Sequence, residues 1–343
     1  MKLLYILTAI LLFGLLIAVH ELGHFIAARR VGIKVNEFAF GMGPALWQKQ
    51  GKETLYSIRL LPIGGYCAME GEDGESSEPR AFNNKKPWQK ILVLVAGSFM
   101  NVVCAILIMS LVVGIMGFTT TTLDQISADL PAAEAGLLPG DKILQIDGKE
   151  IKEWNDVSAA IYAAEGAELE VVIERDGQTQ TVKITPAVQE GTDAAGNPVK
   201  SYVLGITCKV SHSPVKAVTV GVQSTWNMTK SLFDSLKMLA TGKASVDDLS
   251  GPVGMVGLVN QTTEYGFWYY GFLTAFICLN LAVVNMLPLP ALDGGRILFV
   301  LYSAITGKAV SERVEGTIHF VGMMLLFGLM IYVSFNDIAK LFG

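Results

Sequence analysis

Residues 3–28 read LLYILTAILLFGLLIAVHELGHFIAA, an apolar run interrupted only by His20-Glu21-Leu22-Gly23-His24. A bilayer core about 30 Å thick is crossed by roughly 20 predominantly apolar helical residues, so the run is long enough to span. The five residues inside it fit H-E-x-x-H, in which two imidazoles one helical turn apart bind zinc and the glutamate activates water. At about 100° per residue the two His side chains are roughly 40° apart around the axis and Glu21 is some 60° from His24, so all three can face one point. So short a pattern occurs by chance in soluble chains. Inside a membrane span ionisable groups are costly and mark functional sites, which weighs against polar groups that neighbouring helices merely satisfy.

Composition points the same way. Of the 343 residues 51% are hydrophobic and 17% charged, so part of the chain must avoid water. Three further apolar segments, 91–118, 267–289 and 318–335, bring the expected spans to four. A secretory leader would end in a small-residue cleavage site, whereas Arg29-Arg30 follows the first run. The basic residues between the first two spans, from Arg29 to Lys90, place that loop in the cytoplasm by the positive-inside rule. The amino terminus and the stretch between spans two and three are then outside. The net charge of -5 and the lack of a long Lys/Arg block argue against nucleic acid. Cys67, Cys104, Cys208 and Cys278 form no CxxC pair, so neither a disulfide framework nor a thiolate zinc site is indicated.

The outside region has the texture of a small folded domain. Residues 136–151 alternate apolar and polar between Pro-Gly and Asp-Gly turns, as a pair of short strands would. NDVSAAIYAA at 155–164 predicts a helix, and 169–184 predicts a hairpin about Asp176-Gly177. In 213–242, Val218, Val222, Met228, Leu232, Phe233, Leu236 and Leu239 are spaced like an amphipathic surface helix.

A catalytic zinc commonly has three protein ligands, so one more is expected far along the chain. His212, in the outside region, and His319, at the start of the last span, are poor candidates. Asp293 is better placed: it closes the third span in NMLPLPALDGGR, 285–296, and is the only carboxylate between Glu264 and Glu312. An Asp-Gly turn at a helix end is the plainer alternative. Pro288 and Pro290 nevertheless break the helix at membrane depth, which is tolerated where backbone lines a protein-buried cavity. Asn285 suits either an oxyanion or substrate contact or a buried hydrogen bond between helices.

HELGH together with NMLPLPALDG, 285–294, resembles the HExxH and NxxPxPxLDG motifs of the site-2 protease family of intramembrane metalloproteases, of the bacterial regulator-of-sigma-E-protease type. AFGMGP at 39–44, LPIGGYCAM at 61–69 and SGPVG at 250–254 are further landmarks, so the resemblance covers nearly the whole chain. It implies that His20, His24 and Asp293 hold Zn2+, that Glu21 is the general base, and that a PDZ domain faces outside. It also implies that 58–69 belongs to a sheet dipping into the membrane beside the active site. There Gly64, Gly65 and Tyr66 would contact a substrate added as an extended strand. Two features depart from the family: only one PDZ-like unit fits, and AGSFMN at 96–101 has serine where relatives often have a Gly-Pro pair.

The expected fold is a polytopic α-helical membrane protein of about four transmembrane helices, with a small extracytoplasmic α+β PDZ-like domain and a membrane-associated β-sheet element. Its layout is 1–118 for the first two spans, 119–205 for the PDZ-like domain, 206–266 for an amphipathic linker and 267–343 for the last two spans. The expected activity is hydrolysis of peptide bonds in or near the spans of membrane-anchored proteins, such as anti-sigma factors or signal-peptide remnants. The setting is the bacterial inner membrane. Partners are single-span substrates and the lipid bilayer, with no nucleic acid and no dinucleotide cofactor. A non-enzymatic adaptor would not need Glu21 beside paired histidines, and a metal transporter would show repeated halves or several polar spans.

Overall fold

The computed structural model describes residues 2–72, 74, 76–192, 198–243, 267–308 and 310–342; the SGPVG landmark lies outside them. In chain order the elements are α1 (Lys2–Arg30), β1 (Val35–Gln50), β2 (Leu55–Met69), α2 (Pro87–Met116), β3 (Phe118–Ile126), α3 (Pro131–Glu134), β4 (Lys142–Ile146), β5 (Lys149–Glu150) and α4 (Trp154–Ala163). There follow β6 (Leu169–Arg175), β7 (Gln178–Ile184), β8 (Ala187–Thr192), β9 (Pro198–Val203), β10 (Ile206–Ser211), α5 (Pro214–Ala240), α6 (Phe267–Asn285), α7 (Asp293–Thr306) and α8 (Glu312–Phe342). The chain divides into two compact units, Met1–Val112 with Val218–Gly343, and Val113–Ala217.

Among the described residues of the first unit, four stretches are long and apolar enough to cross a membrane: Leu7–Arg30, Pro87–Met116, Trp268–Asn285 and Arg313–Ala339. Their outward faces are apolar. Leu7, Leu11 and Leu15 on α1 and Leu107, Leu111 and Ile115 on α2 are exposed at every fourth residue, a stripe that water penalises and hydrocarbon does not. Inward-facing Leu16, Met109, Leu232, Leu273 and Leu279 join α1, α2, α5 and α6 into one core. The third span is shorter than the sequence suggested. α6 stops at Asn285, and residues 286–292 are irregular, with Ala291 in the left-handed region at φ 72°. Pro288 and Pro290 cannot donate to a continuing helix and clash with its preceding turn. Asp293 therefore does not end the third span; it opens a separate helix, α7.

β1 and β2 are long hairpin-like segments that pair with each other twice. Residues 37–40 are bonded on both sides: Phe38 faces Tyr56 and Cys67, and Ala39 faces Ser57 and Tyr66. Residues 45–50 pair with 55–59. The stretches therefore lie in the order 45–50, 55–58, 37–40 and 65–68, and 65–68 forms one edge of the sheet. Among the described residues no other strand pairs with that edge. An acid-base cluster pins the sheet. Ser57 Oγ donates to Glu37 Oε1 at 2.5 Å, and Arg59 Nη2 donates to the same oxygen at 2.7 Å. Burial raises the Glu37 pKa, but these donors more than offset it and hold the carboxyl below its usual range.

The second unit is a sheet of order β10-β3-β4-β6-β7, with β5 beside β4. Leu123, Ile143, Ile146, Leu169 and Ile173 pack against Val157 and Ile161 of α4. Only the second half of 136–151 is strand, as β4 and β5; the first half forms the loop that leads from α3 into β4. The helix at 155–164 is α4, opened by a reciprocal capping box of Glu153 and Asp156. The hairpin at 169–184 is β6 and β7, with Asp176 and Gly177 at φ 51° and 77°, the left-handed pair that a two-residue turn requires. β10, just past residue 205, completes the sheet against β3. Arg175 Nε and Nη2 hold both oxygens of the buried Asp141 carboxylate, at 2.7 and 2.6 Å.

α5 covers the amphipathic stretch at 213–242. Leu232 is buried with Met228 and Leu236 beside it, while Val218, Val222 and Phe233 remain exposed.

Candidate active site

The HELGH turn lies on α1 where that helix meets α2. The two helices are so close that a Cβ on Gly23 would strike the backbone of Ala96 and Gly97. A Cβ on Gly97 would meet His24 Nε2 and the His20 ring. A side chain at Gly97 would thus fill the space between the imidazoles, which is why this position suits glycine.

His20 and His24 are both 6% exposed, with their Nε2 atoms 3.1 Å apart. Asp293 Oδ2, from the first turn of α7, lies 3.1 Å from His20 Nε2 and 3.4 Å from His24 Nε2. It is buried and aligned with no hydrogen-bond donor. The remaining ring nitrogen of His24, Nδ1, donates to the Val93 carbonyl at 2.8 Å, which leaves Nε2 with a free lone pair. His20, His24 and Asp293 each offer a ligand atom, all within 4.8 Å of one another, although Asp293 lies 269 residues beyond His24 in the sequence. Three ligand atoms crowded this closely, two from imidazoles and one from a carboxylate, suit a cation. Two imidazoles and one carboxylate form a donor set that suits catalytic zinc, with a fourth position open.

Glu21 lines the same cavity, of about 570 Å³, as do Tyr66, Asn285 and Arg296. Asn285, the last residue of α6, places Nδ2 3.3 Å from His20 Nε2. The edge of β2 runs along the cavity: Tyr66, Cys67, Ala68 and Met69 line it, and a Cβ on Gly65 would touch Glu21 Cγ at 3.8 Å. Gly64, at φ 80°, sits in the bend just before and does not line the cavity. Burial, reinforced by the charges of Glu21 and Glu72, pushes the Cys67 thiol up, so it faces the site as a neutral group rather than a thiolate. Arg296 on α7 pairs with Glu72, three residues past the end of β2, tying the Asp293 helix to the segment that leaves the sheet.

One group passed over as a ligand contributes differently. His319 on α8 accepts a hydrogen bond from the Ala291 backbone N–H through Nδ1, and so holds the irregular segment that leads into Asp293. Nothing local in the sequence signals that contact, which spans 28 residues.

The sequence matches the profile of Peptidase family M50 over residues 8–329. The chain belongs to this family. A protein of Clostridium acetobutylicum named as a zinc metalloprotease is 38% identical, with 97% of each chain covered. Zinc metalloprotease RasP of Oceanobacillus iheyensis is 32% identical, covering 97% of this chain and 98% of that one. Regulator of sigma-W protease RasP of Bacillus subtilis is 31% identical with the same coverage. Among solved structures, the PDZ domain of an SdrC-like protein from Listeria monocytogenes is 24% identical over 27% of this chain and 86% of that one, with a TM-score of 0.20. This M50 protein is a zinc metalloprotease, and the cluster of His20, His24 and Asp293 fits the metal that its relatives' names specify.

Proposed function

We propose that this M50 protease cleaves membrane-anchored proteins within or beside the bilayer, with His20, His24 and Asp293 holding the zinc and Glu21 as general base. The observation that carries this is the convergence of the three ligand atoms in the cavity that Glu21 lines, on helices apolar enough to span a membrane. Bound zinc supplies Lewis acidity, acidifying water and polarising the scissile carbonyl. Glu21 takes the proton from the attacking water and returns it to the leaving nitrogen. Asn285 turns its amide toward the carbonyl oxygen as negative charge builds there. The open edge at 65–68 takes the substrate as an added strand, which unwinds a helical segment and presents its carbonyls; Gly64 and Gly65 let the two backbones approach, and Tyr66 flanks them.

The same proposal sets the layout: residues 1–118 and 267–343 as the spanning parts, 119–205 as an extracytoplasmic PDZ-like domain and 206–266 as a linker whose first residues, 206–211, also pair into that domain's sheet as β10. The chain sits in a bacterial inner membrane with its amino terminus outside. Anti-sigma factors and signal-peptide remnants are the substrate class, supported by the sigma-W regulator among the relatives. The PDZ-like domain admits substrates already trimmed of bulky outer portions.

The experiment is metal analysis together with cleavage of a single-span substrate by the full chain in detergent. Glu21→Gln keeps the zinc and loses about 10²–10⁴-fold in rate. Full activity in that variant would sink the assignment.

A further inference from the structure

The two histidines of the HELGH turn are not equally supported. His24 rests its Nδ1 on the Val93 carbonyl, whereas His20 Nδ1 is buried with no partner among the described residues. If His20 presents Nε2 to a cation, its proton must sit on Nδ1, which then becomes a buried donor in need of an acceptor. Metal-binding histidines almost always donate that second N–H to a carboxylate, a carbonyl or water.

The cavity holds a matching group. Asn101 on α2 is 0% exposed, and both its amide oxygen and its amide nitrogen are without a partner among the described residues. It lines the same cavity as His20. It also lies four residues beyond Gly97, which packs against the His20 ring, so the two positions share one face of α2. Ser98 is also buried and unpartnered, but it lies about 100° around the helix from Gly97 and does not line the cavity. An asparagine with both ends unsatisfied in a helical core is costly unless it meets something there.

We propose that Asn101 is the positioning residue for His20: in the metal-loaded protein its Oδ1 accepts the His20 Nδ1–H, which fixes the ring with Nε2 toward the ion. This rests on His20 being a zinc ligand. Asn101 Nδ2 is left facing the cavity. Neither the proposed catalytic roles nor the family motifs quoted above assign this side chain a role.

The test measures zinc affinity of the full chain in detergent by chelator competition, with the visible spectrum of the cobalt-substituted protein as a report on ligand geometry. Asn101→Leu is expected to weaken zinc binding 10–100-fold and to shift the cobalt spectrum. With zinc saturating, its KM stays unchanged. Asn101→Asp, which keeps an acceptor, should restore the affinity, and Ser98→Ala should leave it at the wild-type value. Wild-type zinc affinity in Asn101→Leu overturns the proposal, and a raised KM beside it would assign the amide to the substrate instead. A loss confined to Ser98→Ala overturns it as well. His20→Ala separates the two levels: if it loses zinc while Asn101→Leu does not, only the positioning role fails; if it keeps zinc, the ligand assignment fails and the positioning role with it.

Discussion

His319 Nδ1 accepts the Ala291 backbone N–H at 2.7 Å, joining α8 to the segment that delivers Asp293. Ala291 is held at φ 72°, a conformation that costs an L-residue roughly 1–2 kcal/mol and persists only when surroundings impose it. Removing the acceptor by His319→Ala forfeits about 1 kcal/mol and loosens the loop, so kcat/KM should fall about fivefold or more with most of the zinc retained. Asparagine or glutamine at the position should recover part of the loss. Ala291→Gly, free to adopt that φ, should be fully active. Unchanged kcat/KM in His319→Ala would show that the loop holds itself.

Gly97→Ala places a methyl group between His20 and His24. The helix crossing has no slack, because the opposing groups are the rings themselves and Gly23 of α1 packs against the backbone of Ala96 and Gly97. Zinc affinity should drop at least about tenfold, measurable by metal content after dialysis, while the helix content by circular dichroism stays near wild type. Normal zinc content would mean that the crossing can spread.

Proline at Tyr66 or Cys67 tests the strand edge. In an antiparallel ladder adjacent residues point their N–H groups to opposite sides, so one substitution removes a donor from the open edge and the other a bond to β1. Both should cut cleavage by about tenfold or more, the loss of one or two hydrogen bonds, without removing zinc. Wild-type turnover in both would count against strand addition.

Asp141 gives the second unit a pH limit. Burial alone would raise its pKa, yet hydrogen bonds from Arg175 and from the Leu138 N–H hold it below the usual carboxylate range. A carboxyl with a lower pKa when folded contributes fully above its unfolded value of about 3.9 and loses that contribution as pH falls through the folded value. Asp141→Asn should cost about 1–3 kcal/mol at pH 7. The difference from wild type should shrink below about pH 4 in a denaturation series on the full chain. A pH-independent difference would assign the effect to packing.

The sequence exposed those parts of the site that are local. HELGH is legible because both histidines and the glutamate lie within five residues on one helical face, and the Asp176-Gly177 turn because its left-handed pair has a fixed residue preference. The end of α6 was overrun because 286–289 stay apolar after the helix has stopped; the Pro288 and Pro290 rings decide the break, and α7 restarts at Asp293. The pairing of β1 with β2 is not legible in the sequence because 35–50 mixes Gly, Pro and charged residues without a clean alternation, and a third of its pairings reach residues 25–34 positions away. The contact of His319 with the Ala291 backbone joins α8 to a segment 28 residues away and leaves no mark on either stretch of sequence.

Strand addition at the 65–68 edge, as proposed, has a bearing on which proteins such an enzyme destroys. A substrate held by its main chain is recognised through groups that every sequence shares, so side chains near the cut contribute little to the choice. Discrimination shifts to how readily a transmembrane helix surrenders its own hydrogen bonds. A single glycine lowers that barrier by about 1 kcal/mol relative to alanine, some fivefold in the population of opened segments. The enzyme would then turn over spans in order of their fragility, and a rigid poly-leucine helix would pass unharmed beside a softer one of the same length.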